Sequence, residues 1–430
     1  MQQTLINAPR VSAWRIVLIL LAVMIALPAF VMGAELSHAL GAVRAIQSSL
    51  VGGAILALIA ALAGAAGAHT RKTTYELITD AFGGHGARLA NGVLGLSILG
   101  WYGVVAMMFG HALASVSPAL ASAPIWALAL GGCVLTTLTA MVGFRALDLL
   151  SAVTTPLKLL LLVWTFIAAL RGGLSPVWSF VPATVMPMGL GVSMVAGGLM
   201  VGAVLSPDIC RFAKSPRRAA LACALAYGLG FPLVLTLAGL PSLASGDKDL
   251  VRIMLTLGLG VPALLIVALT AWSTNSFNLY AASLIGSTLR PGQPPWQLTL
   301  VAGLVGTVLG LAGIGELLVP YLLWLGVCIP PVAGIYLVHA VLAPSGAATA
   351  ARWRADALIA WAVGSTWAAL APRWGLALTA VPALDSIAVS ALVYGVIHRL
   401  LQHPGAGIPV VVKLGRRTTA STVDRSAEKF

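Results

Sequence analysis

The chain has 430 residues, of which 59% are hydrophobic and only 9% charged, against the roughly 25% charged expected of a soluble domain. This composition excludes a water-soluble globular protein and leaves an all-α integral membrane protein. The formal net charge of +13 needs no nucleic-acid partner, because the basic residues fall between apolar stretches on one predicted face, where they suit anionic lipids.

A helix crosses the hydrocarbon core with about 20 apolar residues. Twelve such stretches are predicted, at residues 14–39, 45–68, 88–115, 122–143, 147–170, 184–207, 218–240, 256–287, 297–314, 316–343, 355–373 and 376–401. An even count puts both termini on one side. Of the 25 Lys and Arg, Arg44, Arg171, Lys248, Arg252 and Arg373 fall on the far side and Lys158 falls inside a span. The rest lie on the side of the termini, so the positive-inside rule makes that side cytoplasmic, with the protein multi-pass in a bacterial plasma membrane. This divides the chain into a cytoplasmic N-terminus (1–13), a transporter domain (14–401) and a flexible basic tail (402–430). The first apolar stretch runs past Pro28 with no small-residue cleavage site and reads as a span, not as a removable signal.

In chain order, the first span carries Pro28 and Gly33 around Ala29-Phe30-Val31-Met32, with Glu35 following. Unwinding is expected there, because Pro and Gly inside a span free backbone groups that a cavity or ligand must satisfy. Glu35 is either a proton site or substrate ligand, or a residue facing extracellular water. The loop 69–88 spaces Tyr75, Leu77, Ile78, Ala81 and Phe82 as a short amphipathic helix expected to lie at the membrane surface. In the third span, Trp101 sits at mid-depth between Gly100 and Gly103, where its ring either stacks on a planar ligand or packs in the interior.

The sixth span carries Gly189, Gly191, Gly197, Gly198 and Gly202 ahead of Ser206-Pro207-Asp208. Its matching position with the first span, in two five-helix halves of opposite orientation, is the arrangement that places a secondary transporter's site near the midplane. Asp208 reads as an ion-pair partner of Arg211 or a helix cap. In the eighth span, Thr270, Ser273, Thr274 and Asn278 share one helical face. Their hydroxyls either bond carbonyls one turn back or, with carbonyls of an unwound first helix near Ala29 and Phe30, surround a hard cation such as sodium. Glu316 reads as interfacial, and His38, His111 and His339 as interface or packing residues. Cys133, Cys210, Cys223 and Cys328 show no metal or disulfide spacing, and no catalytic motif or phosphate-binding loop is present, so neither an enzyme nor an ATP-driven pump is expected.

Four segments, Gly100-Trp101-Tyr102-Gly103, Ser206-Pro207-Asp208-Ile209-Cys210-Arg211-Phe212, Ala271-Trp272-Ser273-Thr274-Asn275 and Ile329-Pro330-Pro331-Val332-Ala333-Gly334, resemble in order the motifs of the cytosine permease branch of the nucleobase cation symporters. The resemblance implies twelve helices in an inverted five-plus-five repeat, with helices 1 and 6 broken and two peripheral helices. It also implies import of cytosine or a related planar heterocycle by cation symport with alternating access. Sodium is the expected coupling ion and a proton the other option; no other cofactor is implied. By position, Trp101 corresponds to a substrate-cavity aromatic, and Ser273 and Thr274 to the hydroxyl pair associated with sodium. The chain departs from the pattern at Ile98, at Gly198, Leu199 and Val201, and at Thr270, which replace groups suited to a pyrimidine edge. Trp101, Gly198, Leu199, Thr270, Asn275 and Ile98 are therefore the expected substrate residues, in a monomer contacting only its substrate and membrane lipids. An amino-acid permease of the same architecture, using amides near Gly197 and Gly198, and a transporter of a thiamine-precursor pyrimidine are the alternatives.

Overall fold

The computed structural model describes residues 10–116, 118–183, 186–314, 324–325, 327–342, 352–379 and 381–402. The expected site of Glu316 and the tail beyond Gln402 lie outside these residues. Helices and turns make up the described chain, with one isolated bridge between Val11 and Ala213.

The first span is broken, as expected, but not where expected. Helix α1 (Ala13–Met24) stops at Ile25 and Ala26, whose backbone is non-helical (φ −80°, ψ 84° and φ −140°, ψ 157°). Helix α2 (Leu27–Thr70) restarts at once with Pro28 in its first turn. Proline has no N–H to lose and a fixed φ suited to a helix start, so the unwinding falls before it, while Ala29 to Met32 are helical. At Gly41 (φ 74°) α2 bends, so that its later part forms the second span.

Helix α3 (Thr74–Val116) joins the amphipathic segment to the third span through a bend at Gly83 (φ 75°), a conformation only glycine adopts without strain. The segment is helical as predicted, yet it does not lie at the surface. Tyr75, Ile78, Ala81 and Phe82 are fully buried, and Phe82 meets Trp361 edge-on at 5.9 Å. Burial inside the protein satisfies the same apolar face that a membrane surface would. Asp208, 134 residues away, supplies the cap of this helix: its Oδ1 accepts from the Thr74 backbone N–H at 2.8 Å. The cap role holds, on a helix distant in sequence.

Helices α4 (Ile125–Met141) and α5 (Phe144–Ala169) complete the first half. The second half comprises α6 (Met188–Val204), α7 (Pro216–Ser245, with a π-helical turn at Ala226–Gly230), α8 (Gly260–Leu289), α9 (Pro295–Leu311) and α10 (Pro330–Leu342). Helix α6 runs through its glycines; the interruption comes at Leu205 and Ser206, ahead of a one-turn helix at Pro207–Cys210. Here too a proline follows. The halves echo one another: a short helix, Leu250–Thr256, precedes α8 and is followed by Gly258 at φ 75°, just as the 74–82 segment and Gly83 precede the third span. Among the described residues, six helices are long and apolar enough to cross a membrane, and shorter apolar helices add to this multi-pass fold.

Helices α11 (Ala355–Leu370) and α12 (Pro382–Gln402) pack on each other and on α10. A buried polar cluster fastens them at one end. Arg354 donates to Asp356 Oδ2 at 3.2 Å, to the Tyr394 hydroxyl at 3.1 Å and to the carbonyl of Asp80 at 3.2 Å, while His398 Nδ1 lies 3.0 Å from Asp356. His339 joins through Tyr394 at 2.9 Å.

Candidate functional site

A cavity of about 710 Å³ lies between α2, α3 and α6 and reaches the outer wall formed by α11 and α12. The α2 helix contributes Pro28, Val31, Met32 and Glu35 from its first two turns, so the break that starts α2 also aims these residues into the cavity. On α3, Trp101 faces the space while the next residue, Tyr102, is fully buried and places its hydroxyl 3.3 Å from Thr136 Oγ1. Ser193, Gly197 and Gly198 line it from α6. Gly197 faces open space, whereas Gly198 lies against the end of Met32, whose Cε would come within 2.2 Å of a Cβ there. Arg373 and Pro382 close the far wall.

The structure therefore brings Trp101 and Gly198 together, as the sequence predicts, and removes four other expected substrate residues from this cavity. Ile98 is buried in the core, Leu199 packs against that core, and the Thr270 hydroxyl donates back to Val267 O at 3.0 Å. The Asn275 amide is spent inside the protein: Nδ2 donates to Tyr102 O at 3.2 Å and Oδ1 accepts from Asn278 Nδ2 at 3.2 Å. It borders a separate space of about 50 Å³ between α3, α4 and α8. The common cause is helical phase, because neighbouring positions on a helix point in different directions and an error of one or two residues carries a side chain from the cavity face to the packed face, as from Gly198 to Leu199. Glu35 lines the cavity at a half-exposed position and pairs with Lys248 at 2.8 Å, which fits the reading that it faces water. His38 bonds Ser242 O at 3.2 Å and stacks edge-on with Phe180, a packing role.

A second polar site lies where α1 ends against α8. The Ser273 hydroxyl is 3.0 Å from Ala22 O and 2.8 Å from Leu269 O, and Thr274 Oγ1 is 3.4 Å from Val23 O. The hydroxyl pair thus meets carbonyls of the broken first span, but these are Ala22 and Val23, not the expected Ala29 and Phe30. The shift follows from the position of the break.

One residue at this site was not foreseen there. Lys158, fully buried on α5, places Nζ 2.6 Å from Ala22 O, 3.1 Å from Ile25 O and 2.8 Å from Ser273 Oγ. Thr155, one turn earlier, binds Leu18 O at 2.9 Å and holds α5 against α1. Two unit charges roughly 3 Å apart repel by about 5 kcal/mol even at an effective dielectric of ~20. These oxygens therefore do not fit a sodium ion while the Lys158 ammonium holds them.

The sequence pattern of the family described as permeases for cytosine/purines, uracil, thiamine and allantoin matches residues 8–356. Cytosine permease of Escherichia coli strain K12 is 30% identical over 291 residues, which is 67% of this chain and 68% of that protein. Cytosine permease of Escherichia coli O157:H7 matches to the same extent. In fold, the chain is similar to Mhp1, a nucleobase-cation-symport-1 family transporter, in a closed conformation with bromovinylhydantoin bound: the TM-score is 0.81 at 19% identity, covering 92% of this chain and 94% of Mhp1. A Na+-coupled sialic acid symporter in a substrate-bound outward-open state gives a TM-score of 0.67 at 14% identity, covering 92% of this chain and 91% of that one.

Proposed function

Because the chain belongs to the family of permeases for cytosine/purines, uracil, thiamine and allantoin, we propose that it imports cytosine or a closely related planar nitrogen heterocycle by cation symport. It is a membrane transporter, not an enzyme, and works by alternating access. The observation that carries the choice of cargo is the cavity: an apolar space with one flat aromatic face at Trp101 and a side-chain-free wall at Gly197 and Gly198. Such a space accepts a thin ring and offers few polar partners, so ring stacking contributes much of the affinity. Ser193 is the polar side chain best placed to select ring substituents. Positive charge on the loops orients the protein with Lys248 and Arg373 outside, so that the cavity takes its substrate from the extracellular side.

An amino-acid cargo lacks support at this site. Its carboxylate would need unspent backbone amides at a helix start, whereas Gly197 and Gly198 lie in the body of α6, their N–H groups within the helix. Uptake of labelled cytosine, uracil, hypoxanthine, a thiamine-precursor pyrimidine and amino acids into proteoliposomes tests the assignment. Saturable cytosine uptake with competition among heterocycles is expected. Saturable amino-acid uptake that nucleobases do not compete with would sink it.

A further inference from the structure

The ammonium of Lys158 stands where α1 and α8 bring together the oxygens expected to hold a metal ion. Its three N–H groups meet three acceptors, Ala22 O, Ile25 O and Ser273 Oγ, with none left over. No acid shares the site: among the described residues Lys158 forms no ion pair. Titratable groups on the elements packed against α5 are engaged elsewhere or do not bond Nζ. Arg15 on α1 pairs with Asp148 of α5 at 3.2 Å, Tyr280 on α8 accepts from Arg211 at 3.1 Å, and Cys133 on α4 and Tyr227 on α7 make no bond to Nζ. A buried cation satisfied only by neutral oxygens, at the junction of a broken helix and its partner, is placed as a bound metal ion would be.

We propose that the Lys158 side chain stands in place of a bound sodium ion at this junction, so that the first span and α8 are tied by the protein's own amine and no sodium is taken up there. This rests on the symporter reading above. In the arrangement seen, the charged amine ties Ala22 and Ile25 of the first span to Ser273 of α8.

The experiment has two arms on the full-length protein. In the first, melting temperature is compared in sodium chloride and in choline chloride for the wild type, Lys158→Ala and Lys158→Met. The wild type is expected to melt alike in both salts, while Lys158→Ala, which vacates the oxygens, gains a sodium-dependent upward shift. Lys158→Met fills the same space without charge and controls for lost packing. In the second arm, proteoliposomes carry an inward gradient of either protons or sodium. Accumulation of labelled cytosine by the wild type that an inward sodium gradient does not raise is expected. Sodium-dependent stabilisation or sodium-driven accumulation by the wild type would overturn the proposal. So would a Lys158→Ala protein indifferent to sodium. If the wild type takes up no nucleobase, the assigned cargo fails, yet the melting comparison still decides the role of Lys158.

Discussion

Trp101 and Gly198 show what a single residue contributes to the cavity and how much of it could be read in advance. Replacing Trp101 with Ala should weaken cytosine binding by about 1–3 kcal/mol, the range for a base stacked on an aromatic side chain. Calorimetric titration of purified protein measures this, and unchanged affinity would return Trp101 to a packing role. Gly198→Phe should abolish uptake while leaving the protein monodisperse and normally stable, since the added ring enters the cavity beside Met32 and not the core. Both residues were legible because a tryptophan at mid-span and a run of glycines are unusual enough to mark a lined space. Lys158 was visible only as a charge within a span. Its partners lie 115 to 136 residues away, and no local spacing joins α5 to the end of α1.

At the level of elements, the breaks were foreseen and their exact positions were not. The first span leaves helical geometry just before a proline, at Ile25-Ala26, whereas ahead of Pro207 the chain only tightens into a turn at Leu205-Ser206, with Ser206 itself still helical (φ −53°, ψ −31°). Flanking glycines drew the expectation into segments that remain helical, where close packing accounts for them. A Cβ on Gly33 would approach Leu235 O to 2.5 Å, so that glycine serves the contact between α2 and α7. The cap from Asp208 to Thr74 gives a test at this scale. Asp208→Ala should lower stability by about 1–2 kcal/mol, the typical worth of such a cap, whereas Asp208→Asn, which keeps an acceptor, should retain most of it. Melting in detergent distinguishes the two; equal losses would mean that the cap contributes little.

Across the whole molecule, the charge distribution predicts a topology that can be tested directly. Lys248→Cys should react with an impermeant thiol reagent on intact cells, and Lys214→Cys only after permeabilisation, in a background with Cys328 replaced by Ser. The reverse pattern would invert the orientation. The fold's repeat was legible because its hydrophobic spans and broken helices recur, whereas the cluster of Arg354, Asp356, Tyr394 and His398 was not, being assembled from side chains that each look ordinary in sequence. Breaking such a buried pair from one side costs about 3–5 kcal/mol, so Arg354→Met should lower the melting temperature markedly.

The cavity's outer wall has a consequence for how this transporter could change its diet. Ala368, Pro382 and Ala383 belong to the last two helices and Pro372 and Arg373 to the turn between them, all beyond the stretch that matches the family pattern, while the junction of α1, α5 and α8 lies within it. The doorway and the motor are thus built from separable parts. Substitutions around the Arg373 turn can retune which rings are admitted and how quickly they enter, and leave untouched the machinery that makes entry uphill.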